Sequence, residues 1–302
     1  MIRIATRASD LAMWQARRVQ ELLEAVGVPS SLVTVTTEGD RDLRPFAELE
    51  GNGFFTKAVQ QAVLRGEADA AVHSYKDLPS ASMPGLVIAA VPERADVRDV
   101  LLCGRAMHDP AAPLLPLAHG AVVGTSATRR RAQLATLRPD LRLTDLRGNV
   151  PTRVARVVSG ELDAILIAKA GLDRLGLDLG DIACVVLEPD VLMPAPAQGA
   201  LAVETTPELA VVVGAIDDPA ARRLVAAERA LMARFDAGCQ LALGARAGDA
   251  GPEVELSAWY EGRRVSVMAG TPEAAAAAAY ARLTGPGAVG RGAARLVEGR
   301  EA

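Results

Sequence analysis

The chain has 302 residues, half of them hydrophobic and 23% charged, with a net charge of -4. That length exceeds one ordinary core and predicts two or three globular domains. The acidic balance argues against a nucleic-acid partner, no apolar run reaches the roughly 18 residues of a membrane span, and three scattered cysteines fit neither a disulfide framework nor a zinc site.

The opening "MIRIATRASD" has no apolar h-region and no small-residue cleavage site, so a protein of the reducing cytoplasm is expected. "IRIAT" reads as a strand. "SDLAMWQARRVQELLEAVG" follows as an amphipathic helix, capped by Ser9 or Asp10 and stopped at Gly27. "SLVTVTT" is a second strand, "FFTKAVQQAVLRGE" a second helix and "ADAAVHS" a third strand. This is the rhythm of a mostly parallel sheet with covering helices. The pattern then restarts with "AVVGTS", "ATRRRAQLATLRP", "LRLTDLRG", "VPTRVARVVSGE" and "LDAILIA", alternately strand and helix. Beyond "MPAPAQGALAVE" comes the helical run "RRLVAAERALMARF". "EVELSAWYEGRRVSVMAG" alternates as a hairpin turning at Gly262. Alanine-rich "TPEAAAAAAYARL" and one last helix complete a small α+β domain. The fold class is thus α/β, with two similar α/β domains around a cleft and a smaller third domain. Ligands in such sheets bind beyond the carboxyl ends of the strands.

Four constellations lie at such ends. In "GTSATRRRAQL" a strand ends at Gly124, Thr125 and Ser126 and a helix begins at once, offering free amides and a positive helix end to an anion. Arg129 and Arg130 add guanidinium forks suited to carboxylates or phosphates. A solvated basic turn in an arginine-rich chain is the plain alternative, since only three of 33 basic residues are lysine. "TDLRGNVPTR" repeats the logic with Arg147 and Arg153, and "TRASD" places Arg7 at the end of the first strand. No phosphate-loop motif is present, so carboxylates are the favoured anions. In "AVHSYKDLPS", Pro79 keeps Leu78 out of a helix, and Lys76 and Asp77 fall in a turn at the strand end. A carboxylate there can stabilise a developing cation or move a proton; an ordinary turn aspartate beside a surface lysine fits the local sequence slightly better.

Cys103 and Cys184 sit in apolar, strand-like stretches, where a thiol behaves as a small hydrophobe. Cys239, in "RFDAGCQLALG", instead occupies a small, polar loop. His73 reads as a strand-end ring satisfied by a neighbour, and the three histidines lack metal-ligand spacing, so no metal is expected.

Taken in order, "IRIATRAS", "FFTKAVQQAVL", "AVHSYKDLP", "GTSATRR", "LRGNVPTR", "AKAGLDRLGL", "PAQGALAVE" and "AGCQLALGA" resemble the porphobilinogen deaminase family over nearly the whole chain. The resemblance implies a transferase, hydroxymethylbilane synthase, of tetrapyrrole (haem) biosynthesis. It condenses four porphobilinogen molecules head to tail, releases one ammonia at each addition through an azafulvene, and hydrolyses the product from its primer. It implies a dipyrromethane cofactor held through a thioether at Cys239, which would explain that loop thiol. It makes Asp77 the catalytic carboxylate. It assigns cofactor contacts to Ser74, Lys76, Thr125, Ser126, Arg129, Arg130, Arg147 and Gln198, and substrate contacts to Arg7, Arg153, Arg174 and Phe55. It further implies two periplasmic-binding-protein-like domains, 1–95 with 197–214 and 96–193, then a cysteine-bearing domain 216–302, in a monomer with no nucleic-acid or membrane partner. The sequence departs from the family pattern at Glu48, Asn52, Ala127 and Asp10; activity is expected to survive because Asp77, Cys239 and the arginines are intact. A non-enzymatic periplasmic-type binder of a multi-carboxylate ligand is the alternative, but it leaves Cys239 and the third domain unexplained.

Overall fold

The computed structural model describes residues 1–36, 56–112, 114–235 and 241–285. In chain order they form β1 (Ile2–Arg7), α1 (Asp10–Ala25), β2 (Ser30–Val35), α2 (Lys57–Leu64), β3 (Ala70–Ser74), β4 (Val87–Ala90) and β5 (Asp99–Cys103). Next come β6 (Val122–Gly124), α3 (Thr128–Leu137), β7 (Arg142–Thr144), α4 (Val150–Val158), β8 (Ala164–Ala168), α5 (Lys169–Leu175), β9 (Ala183–Leu187) and β10 (Leu201–Thr205). α6 (Pro219–Arg234), β11 (Gly244–Ala250), β12 (Glu253–Tyr260), β13 (Arg263–Ala269) and α7 (Pro272–Thr284) complete the described chain. The last helix expected from the sequence falls within 286–302, outside the described residues.

Two five-stranded sheets share one plan, with orders β2-β1-β3-β10-β4 and β7-β6-β8-β5-β9. In each, the first three strands are parallel and the fourth is antiparallel to both neighbours. The sheets are therefore less parallel than the alternating pattern suggests. The reason is topological: β5 and β10 enter their sheets from the other unit, through segments 91–98 and 188–200, and not through a helical crossover of their own. α1 covers the first sheet with Ala16, Val19 and Leu23, which recur at helical spacing and are fully buried. Its N-cap is Ser9, as expected, although the serine side chain makes no capping bond. Cys103 is buried in β5, but Cys184 is exposed, contrary to its apolar surroundings in the sequence, because β9 is the edge strand of its sheet.

The third unit is the antiparallel sheet β11-β12-β13 with α6 and α7 packed on it. Glu261 (φ 48°) and Gly262 (φ 78°) supply the two left-handed residues of the predicted hairpin turn.

Two devices lock the crossing segments. Glu228 of α6, with no exposed surface, accepts both terminal nitrogens of Arg94 at 2.8 Å and the amides of Ala197 (2.6 Å) and Ala247 (2.7 Å). Four donors satisfy a carboxylate whose isolated burial would be prohibitive. The second device is Gly199, at φ +86°; a Cβ there would sit 2.4 Å from the Ala95 carbonyl oxygen. Gly199→Ala is expected to lower stability by about 2–3 kcal/mol, through left-handed strain plus forced separation of the two segments. Urea unfolding of the variant checks this, and a loss under about 0.5 kcal/mol, the level of an ordinary surface change, would contradict it.

Candidate functional site

Of the expected site residues, Arg7, Ser74, Lys76, Asp77, Thr125, Ser126 and Arg147 lie at or just beyond the carboxyl ends of strands from both sheets, Arg129, Arg130, Arg153 and Arg174 lie on helices, and Gln198 lies in a crossing segment. β3 runs into a single 3-10 turn, Tyr75–Asp77, whose following residue, Leu78, is extended, as Pro79 requires. Asp77 is exposed at this turn, and among the described residues no side chain hydrogen-bonds its carboxylate. Lys76 donates to Gln198 Oε1 at 3.2 Å. Ser74 Oγ accepts from Gln15 Nε2 at 2.7 Å. His73 Nε2 lies 3.0 Å from Glu204.

From the second sheet, β6 ends at Gly124. The Thr125 amide donates to Thr144, and Ser126 Oγ both donates to the Leu146 carbonyl (2.9 Å) and accepts from its amide (2.8 Å), pinning the turn before α3. Arg129 and Arg130 do not form a solvated basic turn. Both are buried, and they grip opposite oxygens of Asp99 at 2.8 and 2.7 Å. Arg129 also donates to the Met193 carbonyl and Arg130 to that of Leu166. Gln198, fully buried in the crossing segment, donates to Asp99 at 2.9 Å and to the Val97 carbonyl while accepting from Lys76. Asp99 thus anchors the basic cluster, and the sequence reading missed it. A signal was present: an aspartate opening the otherwise apolar strand "DVLLC" must have buried partners.

The electrostatics follow from this packing. Burial pushes the Asp99 carboxyl up, but Arg129 and Arg130 outweigh it and hold the group well below the usual carboxylate range. Burial pushes the Arg129 guanidinium down against the pull of Asp99. Burial, reinforced by Arg130 and opposed by Asp77, takes Arg153 to about 10. Arg174 also falls to about 10 through burial; it donates to the Gly199 carbonyl at 2.7 Å and lies 5.5 Å above the Trp14 ring. Arg7 closes β1, and Arg147 lies in the turn between β7 and α4; both are partly buried. Phe55 and Cys239 lie outside the described residues, as do Glu48 and Asn52.

Lys76 shows the strain of this basic cluster. Burial is the main reason that its ammonium falls from 10.5 to about 8; Asp77 and Asp99 oppose the shift, and Arg130 and Arg129 add to it. The unfolded chain keeps that proton to higher pH than the native protein. The cation therefore lowers stability below pH 8, and the penalty is relieved as pH rises from 8 towards 10.5. In primer-free protein, wild type is expected to gain on Lys76→Met by roughly 1–3 kcal/mol between pH 7.5 and 10. Urea midpoints of the two proteins across that range measure it, and a constant difference would contradict it.

Among the described residues, Lys76, Arg129, Arg130 and Arg153 stand against only Asp77 and Asp99, and the buried Nε atoms of Arg130 and Arg174 have no hydrogen-bond partner. Such a surplus of unspent donors fits a ligand bearing several carboxylates. Among the described residues, no group of three His, Cys, Asp or Glu side chains is placed to hold a metal, and no helix is long and apolar enough to cross a membrane.

The family model described as porphobilinogen deaminase, dipyrromethane cofactor binding domain, matches residues 2–212. The chain belongs to the porphobilinogen deaminase family. The porphobilinogen deaminase of Mycolicibacterium paratuberculosis is 49% identical over 248 residues, 81% of this chain and 76% of its own. That of Mycobacterium tuberculosis strain H37Rv is 48% identical, over 81% and 78%. A periplasmic substrate-binding protein of an ABC transporter from Coxiella burnetii is 16% identical, over 73% of this chain and 94% of its own, at a TM-score of 0.43. In porphobilinogen deaminase terms, residues 2–212 span both five-stranded sheets, including β10 and the whole Asp99 cluster.

Proposed function

We propose that the facing strand ends of the two sheets hold the acetate and propionate groups of a pyrrole chain, that Asp77 is the catalytic carboxylate, and that Cys239 carries the dipyrromethane through a thioether. As a member of its family the protein is a transferase of tetrapyrrole biosynthesis, a hydroxymethylbilane synthase. Membership also sets aside a purely binding role.

One observation carries the reading. The Asp77 carboxylate is exposed and, among the described residues, accepts no side-chain hydrogen bond, while Lys76 and Arg153 face it and Arg130 stands close to both. Pyrroles that carry acetate and propionate are polyanions at neutral pH, so Lys76, Arg129, Arg130, Arg147 and Gln198, with the hydroxyls of Ser74, Thr125 and Ser126, fit the primer. Arg7, Arg153, Arg174 and Phe55 are assigned to the incoming porphobilinogen. When bound, the dipyrromethane supplies the nucleophilic α-carbon of its terminal pyrrole. Asp77 accepts a hydrogen bond from a pyrrole N–H and stabilises the positive charge that grows there as the aminomethyl group of porphobilinogen departs as ammonia. The arginines hold the ring substituents so that the reacting carbons meet at that carboxylate, which turns a bimolecular step into a local one. Gln198 fixes Lys76 relative to Asp99 by hydrogen-bonding both. A cytoplasmic monomer needing no macromolecular partner completes the proposal.

The test is the intact mass of purified protein beside Cys239→Ser. A mass excess equal to two linked pyrroles in the wild type alone is expected. A bare wild-type chain that also fails to gain this mass on incubation with porphobilinogen would overturn the assignment.

A further inference from the structure

The turn that carries Asp77 borders an open cleft on the side of α6. This cleft, of about 250 Å³, is lined by Tyr75, Leu78 and Pro79 of the turn, by Ser80, Ser82, Gln60 and Glu204, and by Ala230 and Ala233 of α6. Apolar packing holds the other side of the turn, where Leu78 is buried and Tyr75 lies against Val91, Ala200 and Val225. Among the described residues, Arg229 reaches across this cleft. Arg229 of α6 donates through Nη1 to the Leu78 carbonyl at 2.8 Å and through Nη2 to the Pro79 carbonyl, and its guanidinium lies 4.7 Å above the Tyr75 ring. A single planar fork thus touches the residue two before Asp77 and the two residues after it. Only a guanidinium can hold two successive carbonyls and stack on a ring at once.

We propose that Arg229 is a positioning residue for the Asp77 carboxylate. It ties the catalytic turn to α6, the helix that leads to Cys239, and so sets the carboxylate in register with the element that carries the primer. Misplacing a catalytic group by about 1 Å suffices for a loss near 10²-fold. In this proposal Arg229 acts through the turn and is assigned no contact with substrate or primer. The proposal rests on the reading of Asp77 as the catalytic group.

The experiment compares wild type, R229M, R229K and D77N as holoenzymes, each shown by intact mass to carry its two pyrroles. It measures kcat and KM for porphobilinogen together with Tm. Arg229→Met keeps the length of the stem and removes the fork. Its kcat is expected to fall ten- to a hundredfold, with KM within threefold of wild type and Tm within about 3 °C. R229K keeps the charge but loses the paired donors and the planar stacking, and its kcat should fall three- to tenfold. A kcat for R229M within twofold of wild type overturns the proposal, as does a loss confined to KM. If R229M does not fold, R229K decides in the same way, because a wild-type kcat there would show that the fork is not needed. D77N separates the two claims. Wild-type turnover in D77N would sink the catalytic reading, whereas a dead D77N beside an unaffected R229M would sink only the positioning role.

Discussion

Asp77→Asn is expected to abolish measurable turnover while leaving the protein folded. The substitution preserves shape and removes charge, and among the described residues no side chain depends on that carboxylate for a hydrogen bond. The turn is held instead by Pro79, by its own 3-10 bond and by the Arg229 fork. Tm should stay within about 2 °C of wild type, as for most exposed substitutions. The rate is another matter. An amide cannot supply the negative charge needed opposite a pyrrole that becomes cationic as ammonia leaves. Removing one preorganised electrostatic partner or proton carrier typically lowers the rate by about 10²–10⁴-fold. The comparison is steady-state porphobilinogen consumption by enzyme loaded with its primer. Rates within tenfold of wild type would remove Asp77 from the catalytic role.

The largest effect on stability is expected at Asp99. Its two oxygens are shared among Arg129, Arg130 and Gln198, and all four side chains are buried. Asp99→Asn leaves both guanidiniums without a counter-charge and Lys76 without one of its two carboxylates. Breaking a buried ion cluster on one side lowers stability by about 3–5 kcal/mol, which corresponds to a fall in Tm on the order of 10 °C for a chain of this size. The pH dependence carries a sign. The folded carboxyl titrates well below its unfolded value, so its contribution is complete above pH of about 4 and is lost as pH falls further. The gap between wild type and variant should close in acid. A variant that melts within 2 °C of wild type at neutral pH would show that Asp99 does not hold the cluster together.

Asp99 also marks the limit of what could be read along the chain. Strands and helices were legible because their signals are local: "ADAAVHS" alternates or runs apolar over a few residues, and "SDLAMWQARRVQELLEAVG" repeats at helical spacing. The placing of Lys76, Asp77, Thr125, Ser126 and Arg147 at strand ends followed from the same local signals, and the ordered motifs carried the family. The partners of these residues did not follow. Arg130 meets Asp99 from 31 residues away, Gln198 reaches it from 99, and Arg229 meets Leu78 from 151. No periodicity encodes such pairs, because each exists only once two separately folded elements are packed together. The antiparallel direction of β5 and β10 was not legible for the same reason, since strand direction within a sheet depends on where the chain arrives from and not on what the strand contains. Local pattern and ordered motifs sufficed for the α/β rhythm, the family and the catalytic candidates. Tertiary packing decided which arginines are neutralised by a buried carboxylate, which donors remain for a ligand, and what holds the Asp77 turn in place.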